Sequence, residues 1–145
     1  MYISKVAIRN IRGFTDLDFD LKRAEGSFAG WTVFTGDNGS GKSTLLKAIA
    51  IGLTGKDTGH LLQQSFHRWI REGAGDDGAS IQLEIVRCPD DDTLSKSGRG
   101  PDQPFSAKLV FKNGGRETTI REANPVGVTR DNYSSPGRTL WSPKS

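Results

Sequence analysis

The stretch VFTGDNGSGKSTLLKAIAIGL, residues 33–53, decides the fold of this 145-residue chain. A short apolar and β-branched run enters a glycine-rich turn, and a lysine then opens a segment with Leu45, Ile49 and Leu53 at four-residue spacing. Four-residue spacing places apolar side chains on one face of a helix. The stretch therefore predicts a buried strand over WTVFTG, a tight turn, and an amphipathic helix that Gly52 and Gly55 bring to an end.

The turn has the residue types that a phosphate group requires. Residues 36–43 satisfy the P-loop pattern G-x-x-x-x-G-K-[ST]. Glycines allow the backbone to curl so that successive N–H groups point inward, and the helix start adds the positive end of its dipole. We expect ATP and Mg²⁺ as ligands; the alternative is an ordinary glycine-rich turn. The expected nucleotide-binding residues are Gly36, Asn38, Gly39, Ser40, Gly41, Lys42, Ser43 and Thr44.

Three of these side chains have a specific expected role. Lys42 would reach the β- and γ-phosphate oxygens, and the Ser43 hydroxyl would complete the Mg²⁺ shell. Thr44 would donate to the α-phosphate. No other metal-ligating residue is expected, because His60 and His67 lack partners at metal-binding spacing.

Composition limits the class of protein. A hydrophobic fraction of 34% and a mean hydropathy of -0.51 indicate a polar chain, long enough for one domain. The single cysteine, Cys88, cannot form an internal disulfide, and no long apolar run resembles a leader or a membrane span. We expect a cytoplasmic protein without a membrane partner. The net charge of +3 is compatible with phosphate ligands or nucleic acid and identifies neither.

The rest of the chain is mostly predicted strand. YISKVAIRNI, a strand over about residues 2–9, and TDLDFDL alternate apolar with polar residues and predict an antiparallel pair broken at Gly13. HLLQQSFHRWIREG predicts a second helix that ends at Gly73. The segments ASIQLEIVRC, FSAKLVFKN and GRETTIREA predict three further strands, the last two joined by an NGG hairpin turn. Residues 88–104 are expected to form a loop, and its triplet Asp90–Asp92 a solvated charge run.

The stretches over residues 3–21 and 31–53 resemble the N-terminal lobe of the RecF/SMC-type branch of ABC ATPases, the AAA-labelled proteins of DNA repair, chromosome maintenance and phage defence. In that family a strand leads into an N-F-R-x-F-like turn, here Asn10-Ile11-Arg12-Gly13-Phe14, then an acidic-hydrophobic strand and G-x-N-G-[SA]-G-K-S. The resemblance is specific over about residues 2–87 and looser over 105–122. It implies a head domain that binds ATP, dimerises head to head around two ATPs, and acts on DNA or a partner nuclease.

The resemblance also suggests roles for individual residues. Arg12 would approach the nucleotide phosphates from the side of the first hairpin, although a solvated turn arginine is an equal alternative. Asn38 stands where the family has asparagine, and its backbone is the expected contributor. Gln63 and Gln64 precede the ASIQLEI strand, which is the wrong place for the glutamine that joins Mg²⁺ to the attacking water. Separately from the resemblance, the helical spacing of Trp69 with Phe66 favours a place in the core over a base-stacking platform.

Hydrolysis in this class requires a strand of four apolar residues followed by Asp-Glu. No such segment follows Ser43, and the L-S-G-G signature and the switch histidine are also absent from the sequence. A doubly wound sheet needs several β-α-β crossovers, whereas one is predicted here. We therefore expect an α/β fold: an incomplete P-loop NTPase, the N-terminal lobe over residues 1–122, with an antiparallel β-subdomain and an irregular or poorly ordered tail over 123–145.

Two functions remain open at this point. The first is an ATP-binding lobe whose hydrolysis requires a C-terminal lobe absent from this sequence, so that the chain has no catalytic residues and is inactive alone. The second is a standalone, non-catalytic nucleotide-binding or interaction module that pairs with a partner chain. A small kinase or GTPase is disfavoured, because no N-K-x-D or acceptor-side motif is present.

Overall fold

The structure, a computed structural model, describes residues 2–23, 25–28, 30–62, 66, 68–86, 104–113 and 118–123. One helix and one short 3-10 turn accompany five strands in the described residues. In chain order they are β1 (Tyr2–Ile11), β2 (Phe14–Asp20), α1 (Lys42–Leu62), the 3-10 turn (Gly75–Asp77), β3 (Ala79–Val86), β4 (Phe105–Asn113) and β5 (Thr118–Ala123).

The five strands form one antiparallel sheet in the order β2-β1-β3-β4-β5. Ile8 lies between Leu17 of β2 and Ile81 of β3, and Ile81 lies opposite Leu109 of β4. Alternation produces this arrangement, because every second residue of a strand points to the same face. The two predicted antiparallel pairs, β1 with β2 and β4 with β5, are both confirmed.

One face of the sheet forms the core with α1. Helix α1 contributes Leu45, Ala48 and Ile51, all of them buried. The sheet contributes aliphatic side chains from three adjacent strands and one aromatic ring. These residues are Val6, Ile8, Ile81, Leu83, Ile85, Leu109 and Phe111. Removal of this apolar surface from water is the main stabilising contribution to such a layer pair.

The opposite face of the sheet is polar and carries charges of both signs. Lys5 pairs with Asp18 at 3.0 Å and Arg9 with Asp16 at 3.7 Å. The hydrogen bond and the charge of Asp18 raise the pKa of Lys5. Exposed pairs of this kind contribute little to stability. The mixture of signs also means that this face has no uniformly basic stripe.

Gly52 does not end the helix, contrary to the sequence-based expectation. It remains helical, and a Cβ built there would lie 2.7 Å from Leu83 Cδ1 and 3.1 Å from Ile81 Cγ2. Glycine at this position therefore allows the helix to approach the sheet closely. The interruption lies at Gly55, whose φ of 78° and ψ of 179° are not helical. The expected stop at Gly52 is thus wrong, and Gly55 interrupts the helix with a kink after which helical structure resumes up to Leu62.

The second predicted helix, HLLQQSFHRWIREG over residues 60–73, is present only at its start: residues 60–62 are helical as the end of α1, and the later described residues are not helical. Residues 68–73 form turns, and Ile70 makes an isolated antiparallel bridge with Ile11. Two main-chain bonds tie the segment to the end of β1: Arg12 N donates to Trp69 O and Arg71 N to Asn10 O, both at 2.8 Å. The bonds within the segment, from Trp69 N to Phe66 O and from Ala74 N to Arg71 O, are those of turns. Apolar spacing alone could not distinguish these partners from helical ones.

The predicted strand over WTVFTG is not a strand in the structure. Residues 31–37 have no ladder partner among the described residues, and Trp31 and Val33 are 90% and 78% exposed. Phe34 is half-buried, with its ring edge-on to Phe19 at 5.8 Å between centroids. A strand exists only when a neighbour supplies hydrogen bonds, and the five described strands bond to one another instead.

Several predictions concern positions outside the described residues. They are those on Gln63, Gln64, His67, Cys88, Asp90–Asp92, the remainder of the 88–103 loop and the tail over 124–145. Strand β5 ends at Ala123, one residue beyond the expected end of the lobe. The division into a lobe and a tail stays a prediction.

Candidate functional site at the P-loop and the first hairpin

The glycines of the P-loop have backbone angles that other residues rarely adopt. Gly36, Gly39 and Gly41 have φ values of 155°, 85° and 92°. A Cβ at Gly36 would lie 2.9 Å from Ser40 Oγ, whereas one at Gly39 would meet nothing within 4 Å. The loop is consequently curled back on itself, as the sequence predicts, and its residues 35–40 are exposed.

Lys42 extends its side chain back over this loop. Its Nζ donates to the carbonyl oxygens of Gly36 and Asp37, both at 2.7 Å, and lies 3.3 Å from Ser40 Oγ. Ser40 N also donates to Asp37 O at 3.2 Å. The ammonium group therefore joins the two ends of the turn and places a positive charge at its mouth.

Helix α1 starts at the loop, and its first turn presents hydroxyl groups. Leu45 N donates to Gly41 O at 2.9 Å, and the buried Leu45 side chain anchors this turn on the core. Ser43 is exposed and Thr44 is half-buried. The first N–H groups of a helix have no partner within the helix, so this end attracts anions.

The donor set fits a nucleotide phosphate with Mg²⁺. Curled glycines, a helix start, one ammonium group and one exposed hydroxyl are the groups that such a ligand uses. Among the described residues, no group of three or more His, Cys, Asp or Glu side chains could hold a metal ion by itself. Mg²⁺ at Ser43 would take its other ligands from phosphate oxygens and water, as this ion usually does at nucleotide sites. The binding roles of these residues stay predictions.

The first hairpin packs against the P-loop through Phe14. Ile11 pairs with Phe14 across a two-residue turn, and a Cβ at Gly41 would lie 2.6 Å from Phe14 Cζ. The ring therefore forms a wall of the loop at the residue just before Lys42. Phe14 was missed as a site residue from the sequence, although its place in the N-F-R-x-F-like turn was the available signal.

Arg12 lies in this turn in an unusual conformation. Its φ is 48°, its N–H donates to Trp69 O at 2.8 Å, and its exposed guanidinium lies over the Trp69 ring, 5.8 Å from Cζ to the centroid. Contact of a guanidinium with an aromatic face is attractive. The structure thus places Arg12 on the turn that touches the P-loop and gives its side chain an aromatic support. Its contact with nucleotide stays a prediction.

Trp69 belongs to the core, as expected from the sequence. It is 1% exposed and packs with Phe66 and Phe111, at centroid distances of 5.3 and 5.9 Å. Its Nε1 has no hydrogen-bond partner within the described part of the chain. The ring therefore joins the aromatic core to the guanidinium on the surface.

Residues 5–142 match the protein family described as AAA domain. Septu protein PtuA of Bacillus mycoides is 27% identical over 89 residues, which are 61% of this chain and 13% of that protein. The DNA replication and repair protein RecF of Mesorhizobium japonicum is 34% identical over 84 residues, 58% of this chain and 20% of that protein. The matched region thus spans only a small part of both curated relatives.

A solved structure has a similar fold. A chain from a structural study of ATP-driven dimerization and DNA-stimulated activation of SMC ATPases superposes with a TM-score of 0.58 and 16% identity, covering 91% of this chain and 75% of that chain. At this identity the likeness concerns the fold. Together with the family match, it confirms the predicted fold, a P-loop NTPase lobe with an antiparallel sheet. Separately, no helix of the described residues has the length and apolarity to cross a membrane.

Proposed function

This chain belongs to the AAA domain family and is of the RecF/SMC type, and from this premise we propose that it is the ATP-binding N-terminal lobe of an ATPase that acts in DNA repair, chromosome maintenance or phage defence. One observation carries the proposal. Lys42 Nζ spans the carbonyl groups of Gly36 and Asp37 in a glycine-curled loop at the start of α1. An ammonium group in that position can donate its hydrogen bonds to phosphate oxygens in place of the two carbonyl oxygens.

The nucleotide would be held by residues of the loop and of the first helical turn. Backbone N–H groups of residues 38–42 would surround the β-phosphate, Lys42 would pair with its negative oxygens, and Thr44 would donate to the α-phosphate. The Ser43 hydroxyl would hold Mg²⁺, which when bound neutralises phosphate charge. Arg12 would add a second cation from the hairpin side.

Hydrolysis would depend on residues from elsewhere. No strand of this sequence ends in Asp-Glu, so the acid that activates water would come from a C-terminal lobe, and the signature motif from a head-to-head dimer partner. Trp31 and Val33 are exposed, and their segment pairs with no strand among the described residues. An exposed apolar segment of this kind supports the proposal that another lobe covers this surface. We place the protein in the cytoplasm.

DNA is the further partner that the name of one relative suggests, and a partner nuclease is the alternative that the family resemblance implies. The two relatives differ in what their names state: RecF is named for DNA replication and repair, whereas the name Septu protein PtuA mentions no DNA. The mixed charges on the open sheet face give no preference for nucleic acid.

The second candidate function is a non-catalytic nucleotide-binding module that pairs with a partner chain, and it would use the same P-loop. ATPase activity on mixing with a candidate C-terminal lobe would discriminate the two.

Isothermal titration of MgATP tests the proposal. We expect weak binding by the chain and a loss of at least about tenfold in Lys42→Ala, because the ammonium group contributes a charge-assisted contact. Lys47→Ala is the matched control, since Lys47 is also on α1, is exposed, and lies more than one turn from the loop. Equal binding by the wild type and Lys42→Ala would refute the proposal. Hydrolysis by the chain alone that disappears in Lys42→Ala would refute its dependence on a second lobe.

A further inference from the structure

The turn that carries Arg12 is held from outside by three consecutive residues, Trp69–Arg71. Arg12 N donates to Trp69 O, and Arg71 N donates to Asn10 O, both at 2.8 Å. Between these two bonds Ile70 bridges Ile11. Residues 69–71 therefore run antiparallel to the end of β1 and extend its pairing up to the turn.

Arg71 adds a bond on the other side of the same turn. Its Nη1 donates to Gly13 O at 3.1 Å. Arg71 thus bonds two carbonyl groups of the turn. Its main-chain N–H bonds Asn10 O, which precedes the turn, and its side chain bonds Gly13 O, which lies within it. The guanidinium is planar and offers several donors in fixed directions, so it can define the orientation of a carbonyl better than a lysine can.

The turn needs such support because its conformation is strained. Asn10 and Arg12 have φ values of 52° and 48°, in the left-handed region that residues other than glycine seldom occupy. Strained residues of this kind persist only where the surrounding structure holds them. Without the bond from Arg71, we expect the Arg12–Gly13 turn to relax and to move the next residue, Phe14.

We propose that Arg71 is a positioning residue of the nucleotide site: by bonding Gly13 O it holds the hairpin turn so that Phe14 rests on Gly41 and Arg12 stays beside the P-loop. Arg71 acts through the turn and does not touch the ligand. The first link is the Arg71–Gly13 bond, and the second is the contact of Phe14 with Gly41, where a Cβ would lie 2.6 Å from the ring. The consequence for nucleotide affinity rests on the proposed function above.

The test compares Arg71→Met with Arg121→Met in the 145-residue chain. Methionine keeps much of the aliphatic length and removes the donors, and Arg121 is an exposed arginine on β5 at the far edge of the sheet. We expect the backbone amide NMR signals of Gly13, Phe14 and Gly41 to shift in Arg71→Met and not in Arg121→Met, without added nucleotide. We further expect about a fivefold loss of MgATP affinity in Arg71→Met alone, the effect of losing one charge-assisted bond at a distance from the ligand.

If Arg71 contributed only to overall stability, Arg71→Met would lower the unfolding temperature but leave the Gly41 signal of the folded protein unshifted. That result would overturn the proposal. Should Arg71→Met fail to fold, Arg71→Leu provides the same NMR measurement, because leucine also removes every side-chain donor. Unchanged Gly41 signals in the folded variant overturn the proposal whether or not the chain binds nucleotide. If the signals move while the wild type binds no MgATP, the coupling stands and the proposed function fails.

Discussion

The ring of Phe14 lies against Gly41, so close that a Cβ added to the glycine would stand 2.6 Å from Phe14 Cζ and 3.1 Å from Cε2. Gly41 immediately precedes the P-loop lysine, and Phe14 is the first residue of β2. The contact therefore joins two parts of the chain that are 27 residues apart in the printed sequence. Any residue larger than glycine must displace either the loop or the hairpin.

The contact predicts a larger effect for Gly41→Ala than for Gly39→Ala. Both glycines have positive φ, at 92° and 85°, but a Cβ at Gly39 would meet nothing within 4 Å. Positive φ alone costs alanine about 1–2 kcal/mol. We expect Gly39→Ala to lower the free energy of unfolding by that amount and Gly41→Ala by roughly 1–3 kcal/mol more from overpacking. Chemical denaturation measures both.

Phe14→Leu provides the rescue for this prediction. A smaller side chain at position 14 should recover part of the loss in Gly41→Ala and none of the loss in Gly39→Ala. Additive effects of Phe14→Leu and Gly41→Ala in the double mutant would show that the ring does not limit this position.

Gly52→Ala should destabilise the protein although alanine favours helices. An exposed helical glycine replaced by alanine gains about 1 kcal/mol. At Gly52 the new Cβ would instead lie 2.7 Å from Cδ1 of Leu83, a side chain with no exposed surface that cannot move freely. We expect a net loss of roughly 1–3 kcal/mol in the free energy of unfolding. Thermal or chemical unfolding measures it.

Leu83→Val removes the opposing Cδ atoms and serves as the second arm of a double-mutant cycle. The double mutant should be more stable than the sum of the two single effects predicts. Stabilisation by Gly52→Ala alone would contradict the close approach of α1 to β3.

Asn10 combines a backbone and a side-chain effect that two substitutions can separate. Its φ is 52°, and its Nδ2 donates to Gly78 O at 3.0 Å. Asn10→Gly keeps the backbone angle available and loses the bond, so we expect a loss of about 1 kcal/mol. Asn10→Ala loses the bond and also meets the left-handed backbone, so we expect about 1–2 kcal/mol more. Equal losses of unfolding free energy would contradict the strained backbone at this position.

Trp31 should be almost neutral for the stability of this chain. It is 90% exposed, in contrast to the 1% of Trp69. We expect Trp31→Ser to change the free energy of unfolding by less than about 0.5 kcal/mol, as surface substitutions usually do. Trp69→Leu, its buried counterpart, should cost about 2 kcal/mol or more, since it leaves a cavity among aromatic rings.

Tryptophan fluorescence provides a second measurement on Trp31. Because the chain has three tryptophans, the emission of Trp31 is obtained as the difference between the wild type and Trp31→Ser. This difference should be that of a solvated indole, and it should shift to shorter wavelength if a C-terminal lobe covers the segment. A large loss of stability in Trp31→Ser would instead mean that residues 31–35 are already packed within this chain.

The sequence by itself determined those features that depend only on residues close together in the chain. Alternation identified β1, β2 and β3, because period two places every second side chain on one face. The NGG hairpin signal identified the pairing of β4 and β5, whereas a sixth strand predicted over WTVFTG is not formed. The glycine and lysine spacing identified the P-loop, since few other residues permit its backbone angles. Family likeness, read from the Asn10–Phe14 turn and the loop, was confirmed by the matched family and by the fold of the SMC ATPase chain.

Only the tertiary structure decided which groups meet across the chain. Residues 68–71 carry a helical apolar pattern but bond to the end of β1, because Trp69 joins an aromatic core whose other members lie far away in sequence. Gly52 looks like a helix stop and is a packing contact with Leu83. Residues 31–35 have the composition of a buried strand, yet Trp31 and Val33 stay exposed where no neighbour offers hydrogen bonds. Local sequence patterns specify whether a segment has the period of a helix or of a strand. Which other segment packs on its face or bonds to its edge depends on long-range contacts, and the period carries no information about them.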